Sequence, residues 1–151
     1  MTGVWVLLAT LVVAVVAGLL LKARNGRVRA AKPAAAARDL AQLPTPVADA
    51  LDPAAAVTLV QISTTFCAPC RHTRAILSAL ADKTDGLHHV DLDVTEQPEV
   101  AHALSVLRTP TTLALAADGR ELLRVGGVPK GPELLEALRP HLEAGTAADA
   151  H

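Results

Sequence analysis

Two cysteines are the residues whose type and spacing most clearly predict chemistry. Cys67 and Cys70 are the only cysteines of the chain and form a Cys-Ala-Pro-Cys motif. The motif lies between an apolar, β-branched run, 57–64, and a segment with apolar residues at helical spacing, 71–83. A helix that begins at the motif would favour the thiolate of Cys67 and lower its pKa. Cys70, one turn further on, could then displace a partner bound to Cys67, so the motif predicts thiol–disulfide exchange.

Two other interpretations of the cysteine pair are a structural disulfide and half of a zinc site. A bridge that closes so small a loop would restrict the unfolded chain little, and zinc needs four ligands, commonly from two such motifs. His72 lies near the pair, and His88 and His89 follow later, but their spacing does not complete a ligand set. We therefore predict no metal site. His72 could also favour the thiolate when protonated, or be an ordinary solvated helix residue.

The N-terminal region, 1–21, predicts a transmembrane anchor. Val4–Leu21 carries no charge and, at about 1.5 Å per residue, spans roughly 27 Å, close to the thickness of a hydrocarbon core. A cleaved signal peptide is the alternative, although Met1–Gly3 lacks the basic residue typical of one. Basic residues follow the span, beginning with Lys22 and Arg24, which predicts an outward N-terminus. We therefore expect a single-pass cell-membrane protein whose domain faces the cytoplasm.

Composition and charge argue against nucleic acid as a partner. Aromatic residues make up 1% of the chain, which excludes stacking platforms for bases. Residues 22–38 contain six basic and no acidic residues, whereas residues 39–151 contain eight basic and fifteen acidic residues, a net charge of −7. A region with this net negative charge is expected to bind nucleic acid poorly. The basic segment instead suits anionic lipid beside the span.

The remaining sequence divides into three regions. Residues 22–56, basic and then rich in Ala and Pro, predict a linker; residues 57–143 alternate strand and helix patterns; and 144–151 predict a disordered tail. The predicted order is a strand over 57–64, a helix over 71–83, a strand over 87–94, a helix over 98–104, strands over 111–116 and 121–125, and a helix over 133–142. This order favours an α/β domain in which helices cover a mixed sheet.

Several motifs in this order make residues 57–142 resemble the thioredoxin family. They are the strand Leu59-Val60-Gln61-Ile62, the motif from Phe66 to Arg71, the strand Asp91-Leu92-Asp93-Val94, Thr109-Pro110-Thr111, Asp118-Gly119 and Val125-Gly126-Gly127. The resemblance implies a thioredoxin-like α/β fold, a central mixed β-sheet flanked by helices, here preceded by one transmembrane helix. It also implies a protein disulfide oxidoreductase that uses the Cys67–Cys70 redox pair and no other cofactor.

The resemblance implies roles for individual residues. Cys67 would be the attacking thiolate and Cys70 the resolving thiol. Pro110 would be a cis-proline packed against the pair, an ordinary trans turn being the alternative. The backbone of Thr109 would pair with an extended substrate segment, and Gly126 would let a substrate backbone approach.

Three positions depart from the family pattern. Phe66 stands where the family usually has Trp, and we expect it to keep an apolar, substrate-binding surface beside the first cysteine. Gln61 replaces a buried aspartate, and Asp91 replaces a lysine on the neighbouring strand. We expect Asp91 to be a relocated proton acceptor for Cys70, with Gln61 hydrogen-bonding nearby. The alternative is that Asp91 is solvated and that water accepts the proton.

Together these features predict a membrane-tethered thiol–disulfide oxidoreductase that reduces protein disulfides. The expected partners are protein disulfide clients, an upstream dithiol reductant, and the lipid bilayer through residues 4–21. Three alternatives remain at this stage: an extracytoplasmic domain that serves thiol or cytochrome maturation, a non-catalytic membrane adaptor on the same scaffold, and a metal chaperone.

Overall fold

A computed structural model describes residues 2–148 and the side chains up to residue 145. The helices are α1 (Thr2–Arg24), α2 (Pro33–Ala36), α3 (Thr45–Ala48), α4 (Ala68–Ala81), α5 (Pro98–Ala103) and α6 (Gly131–Ala148), with a 3₁₀ turn over Leu40–Gln42. The strands are β1 (Val28–Ala30), β2 (Val57–Ser63), β3 (Leu87–Asp93), β4 (Thr111–Ala116) and β5 (Glu121–Gly126).

The five strands form one mixed sheet in the order β1-β5-β4-β2-β3. Strands β2 and β3 are parallel, and the other neighbours are antiparallel. All seven residues of β2 are buried because the strand lies inside the sheet with helices on both faces. This explains why its sequence is nearly continuously apolar instead of alternating. The predicted mixed sheet covered by helices is confirmed.

Alternate residues of β2 lie in two separate apolar cores, one on each face of the sheet. Leu59 packs in the core that α4 and α6 cover, together with Leu77 and Leu138. Val60 packs in the opposite core, which includes Val47 of α3. Each fully buried aliphatic side chain contributes about 1.5–3 kcal/mol, so the core that includes Leu77 holds α4 against the sheet.

The segment 22–56 is not the linker that its composition predicts. Strand β1 pairs with β5 through Val28 and covers an edge that would otherwise expose unpaired backbone groups. Pro33 and Pro46 lie in the first turns of α2 and α3, where the missing N–H costs nothing. Val47 is fully buried. These prolines therefore begin short helices that pack on the domain.

The C-terminal helix is longer than the sequence pattern predicts. Helix α6 begins at Gly131 and continues to Ala148, so the predicted disordered tail is wrong up to residue 148, and residues 149–151 lie outside the described chain. Three of the added residues, Ala144, Ala147 and Ala148, have the best helix propensity, which supports the extra turns. Gly145 lets the last turns pack closely on Ala56, since a side chain at Gly145 would overlap Ala56.

Helix α1 is exposed along its whole described length. It is long and apolar enough to cross a membrane, a test that an N-terminal signal sequence also passes. Only residues 25–27 separate α1 from β1, so the helix joins the sheet almost directly.

Candidate functional site

The cysteine pair lies at the start of α4. Cys67 and Cys70 are joined as a disulfide with their Cα atoms 5.2 Å apart. Cys67 is the N-cap residue of α4, and its Sγ accepts a hydrogen bond from the backbone N–H of Cys70 at 3.2 Å. Cys67 is partly exposed, whereas Cys70 is only 2% exposed. An incoming sulfur can therefore reach Cys67, while Cys70 reacts from inside the fold.

The loop before the pair is held by hydrogen bonds to the end of β3. The Thr65 N–H donates to Thr95 Oγ1 at 2.9 Å, and Thr65 Oγ1 donates to Asp93 Oδ2 at 3.1 Å. The Thr95 N–H donates to Asp93 Oδ1 at 2.8 Å. Hydrogen bonds from the side chain and backbone of Thr95, and then from Thr65, hold the pKa of Asp93 below its ordinary value. Sequence reasoning missed this anchor.

A cis Thr109–Pro110 peptide bond is present, as the family resemblance predicts. Thr109 Oγ1 lies 3.4 Å from the hydroxyl of Thr64, which connects this loop to the loop that carries the cysteines. The Pro110 carbonyl accepts a 2.7 Å hydrogen bond from the N–H of Gly127. Among the described residues, nothing pairs with the backbone N–H or C=O of Thr109, so both are available to an extended segment, as its expected role requires.

The surface beside Gly126 is covered by other residues of the chain. The Gly126 carbonyl accepts a hydrogen bond from the Gly26 N–H at 2.9 Å and another from Arg108 Nη2 at 3.0 Å. A Cβ at Gly126 would lie 2.8 Å from Arg108 Nη2. Asn25 lies against the next residue, Gly127, whose positive φ of 92° and close contact both favour glycine. The resemblance implies that a substrate backbone approaches Gly126, whereas the structure places Gly26 and Arg108 there.

Two large apolar side chains are exposed near the cysteine pair and the cis-proline. Phe66 precedes Cys67 and is 97% exposed, and Leu107 precedes the cis-proline by three residues and is also 97% exposed. Phe66 thus offers the apolar surface that its position predicts. Exposed apolar groups of this kind commonly mark contact surfaces for other proteins. Leu107 was not singled out from the sequence because nothing in its spacing sets it apart.

Gln61, Asp91 and Arg74 connect the sheet to α4 near Cys70. Gln61 and Asp91 are register partners on β2 and β3, and Gln61 Nε2 donates to the Cys70 carbonyl at 2.9 Å. The Asp91 carboxylate forms an ion pair with Arg74, one turn after Cys70 on α4. Gln61 Oε1 and Asp91 Oδ1 are buried and accept no hydrogen bond from a protein group. Gln61 thus hydrogen-bonds where expected, and Arg74 is the member that sequence reasoning missed, although its spacing of four from Cys70 places it on the same helix face.

The histidines near the pair show no metal-binding arrangement. His72 is exposed, as expected of an ordinary helix residue. His89 Nδ1 lies 3.1 Å from Ser78 Oγ. Burial lowers the pKa of His89 below its usual value, Asp91 acts in the opposite direction, and His88 contributes to the lowering. Within residues 2–148, no group of three His, Cys, Asp or Glu side chains could hold a metal ion.

The geometry can be compared with known proteins. The family model described as thioredoxin matches residues 47–140, more than half of the chain. The chain belongs to the thioredoxin family. The matched region therefore begins within α3 and ends within α6, and the disulfide lies at the start of its first long helix. Membership and the Cys67–Cys70 pair together support thiol–disulfide oxidoreductase activity.

Individual thioredoxins show how far the similarity extends. The chain is 38% identical over 72 residues to thioredoxin H2 of Arabidopsis thaliana, a match that covers 48% of this chain but only 53% of that protein. It is 34% identical over 87 residues to a thioredoxin of Staphylococcus saprophyticus, covering 57% of this chain and 83% of the relative. The crystal structure of thioredoxin NaTrxh from Nicotiana alata matches with a TM-score of 0.51 and 31% identity, over 57% of this chain and 73% of that one. The family model begins at residue 47, so the region before that residue has no counterpart in it.

Proposed function

We propose that the protein is a membrane-tethered thiol–disulfide oxidoreductase that reduces protein disulfides through Cys67 and Cys70. The observation that carries this proposal is the unequal exposure of the two sulfurs at the start of α4, in a thioredoxin domain. A helix N-terminus favours the thiolate of the accessible cysteine once the pair is reduced. The apolar helix α1 supports the tether.

The reaction begins when the Cys67 thiolate attacks one sulfur of a client disulfide. A Cys67–client bond forms, the client bond breaks, and the departing client sulfur takes a proton. Cys70 then loses its proton and attacks Cys67 Sγ, which releases the second client thiol and forms the Cys67–Cys70 disulfide. Two electrons pass from the protein to the client. An upstream dithiol then reduces the pair and is itself oxidised.

Asp91 accepts the proton of Cys70 in this scheme, directly or through one water molecule. The carboxylate lies on the strand beside Gln61, whose amide contacts the backbone of Cys70. Arg74 offsets the negative charge of Asp91 and fixes the carboxylate against α4. Gln61 positions Cys70 and cannot itself accept the proton, because an amide is not basic at neutral pH.

Reduction of insulin by the full chain in detergent micelles tests the activity. The wild type should precipitate insulin in the presence of dithiothreitol, and Cys67→Ser should abolish the reaction. Cys70→Ser should accumulate a mixed disulfide, because the resolving sulfur is missing. An inactive wild type that is fully reduced and folded would contradict the proposal and favour a non-catalytic adaptor.

The proton acceptor needs a separate measurement. Release of a trapped mixed disulfide is followed between pH 6 and 9 in the wild type, in Asp91→Asn and in Asp82→Asn, an exposed acid at the end of α4 that serves as the control. Asp91→Asn should slow release by about 10²-fold or more, with the largest effect at low pH, where hydroxide cannot substitute. A rate that matches the Asp82→Asn control at every pH would show that water accepts the proton.

The membrane topology is tested independently of the chemistry. The basic residues in the last turn of α1, Lys22 and Arg24, support a cytoplasmic domain. A fluorescent protein fused to the C-terminus should therefore fluoresce, and alkaline phosphatase fused there should be inactive. The reverse result would assign the domain to the other side of the membrane. Intact mass of the purified protein must include residues 1–21, since their removal would identify a signal peptide.

A further inference from the structure

A basic groove lies between the segment that follows α1 and the loop before the cis-proline. Its volume is about 200 Å³. No acidic residue lines it among the described residues, and its charged lining residues are Arg24, Arg27, Arg29, Lys32, Arg108 and Arg124. We define these six residues as the basic groove. They come from the end of α1, β1 and its surroundings, the cis-proline loop and β5, so the fold concentrates charges that are dispersed in the sequence.

The charge of the groove is largely uncompensated by the protein. Arg124 forms an ion pair with Glu121 at 2.6 Å. The other five cations have no carboxylate partner in the described part of the chain. Arg108 is nevertheless held in place, because its Nη2 donates to the Gly126 carbonyl. A concave surface lined by unpaired cations favours a bound anion.

The position of the groove indicates which anion is available. Arg24 is the last residue of α1 and follows the apolar stretch by only three residues, about 5 Å of helix. If α1 spans a bilayer, this end of the helix lies at the level of the lipid headgroups. The nearest anions are then lipid phosphates in the same leaflet.

We propose that the basic groove binds the phosphate of an anionic lipid headgroup. The inference rests on the proposed membrane tether. Arg108 connects the groove to the active site, because the next two residues are Thr109 and Pro110. A headgroup bound to Arg108 therefore holds the client-binding loop at the membrane surface. The matching clients are proteins whose disulfides lie close to the same surface.

Native mass spectrometry of the full chain in detergent micelles tests the binding. The probes are phosphatidylglycerol and phosphatidylcholine, with inorganic phosphate and a short acidic peptide as competitors. Measurements at about 0.3 M salt, where the Debye length is roughly 6 Å, suppress long-range attraction and retain direct contacts. We expect the wild type to retain phosphatidylglycerol at least tenfold more than phosphatidylcholine.

Three variants separate a groove from a generally basic surface. Arg27→Gln and Arg108→Gln each remove one groove cation, and the Arg27 side chain forms no hydrogen bond with the residues that the structure describes. Lys22→Gln removes the same charge beside the span but outside the groove. Each groove variant should lose about tenfold or more in phosphatidylglycerol binding, the effect of removing one hydrogen bond between a charged side chain and the phosphate. Lys22→Gln should stay within twofold of the wild type.

Four results would overturn the inference. Equal loss in Lys22→Gln and the groove variants would indicate surface attraction alone. Equal retention of phosphatidylglycerol and phosphatidylcholine would show no headgroup preference. Displacement of the lipid by millimolar inorganic phosphate would assign the groove to a free anion, and displacement by the acidic peptide at low concentration would assign it to a protein segment. Insulin reduction by the wild type in the same micelles distinguishes these failures from failure of the proposed oxidoreductase.

Discussion

Replacement of Gly26 by alanine tests how firmly α1 is attached to the thioredoxin domain. Gly26 lies between α1 and β1 with φ at +73°, a backbone conformation that favours glycine. A Cβ there would overlap the carbonyl oxygen of Val128. The N–H of Gly26 also donates to the Gly126 carbonyl at 2.9 Å. The substitution therefore strains the backbone and pushes it away from its hydrogen-bond partner.

The expected cost follows from these contacts. A non-glycine residue in the left-handed region costs about 1–2 kcal/mol, and loss of the hydrogen bond adds about 0.5–1.5 kcal/mol. The sum is about 1.5–3.5 kcal/mol. The chain can escape this cost by detaching β1, which gives up its pairing with β5 and the 3.1 Å bond from the Ala31 N–H to the Leu122 carbonyl. The free energy lost with these β1 interactions is similar to the cost of the strained alanine, so we expect β1 to detach locally while the central strands change little.

Amide hydrogen exchange of the full chain in micelles measures this effect. In Gly26→Ala, the amides of β1 should exchange roughly 10- to 300-fold faster, since each 1.4 kcal/mol is about tenfold. The amides of β2 and β4 should keep their protection. Gly3→Ala is the matched control, because nothing in the structure lies within 4 Å of a Cβ at Gly3. If the β1 amides are as well protected from exchange in Gly26→Ala as in Gly3→Ala, the described attachment of α1 to the domain is wrong.

Three further predictions concern stability, measured by chemical denaturation. The pKa of His89 is lowered by burial, so the unfolded state binds more protons than the folded state. Stability should therefore fall as the pH drops below the ordinary value of 6.5 toward the lower pKa of the folded state. His89→Asn should flatten this pH dependence. Arg124→Met leaves Glu121, which is 3% exposed, without its partner and should destabilise the fold by about 1–3 kcal/mol. The loss is smaller than for a fully buried pair because Arg124 is 25% exposed. Adding Glu121→Gln should restore most of the lost stability. Leu138→Ala empties a fully buried site and should cost about 2–5 kcal/mol, while the exposed Leu107→Ala should stay within about 0.5 kcal/mol.

Local patterns were sufficient where neighbouring residues decide the structure. The run at 57–64 is apolar and β-branched because β2 is buried on both faces, so its pattern identifies it without knowledge of its partners. Likewise, Pro69 fits the first turn of a helix, and α4 begins at Ala68, three residues before the apolar periodicity does. The cysteine pair could therefore be placed from local patterns, whereas the cis-proline was expected only from the resemblance to the thioredoxin family.

Contacts between distant segments could not be predicted in this way. Strand β1 contains three residues, and its pairing depends on the free edge of β5, almost a hundred residues later. The same holds for Arg108, which covers Gly126 only because the two loops meet in the fold. The ion pair of Asp91 with Arg74 joins a strand to a helix, so the sequence indicated the acid without its partner. In each case the missing information was which elements are adjacent.

The short connection between α1 and the sheet limits which clients a membrane-tethered domain can reach. A flexible linker over the 35 residues 22–56 would have a root-mean-square length of about 30 Å. The three residues 25–27 span at most about 10 Å even when extended, and the hydrogen bond from the Gly26 N–H to the Gly126 carbonyl restricts them further. Tethering raises the local concentration of a client only if its disulfide lies within that reach. A bilayer-spanning α1 therefore favours disulfides close to the membrane surface and disfavours those that project far from it.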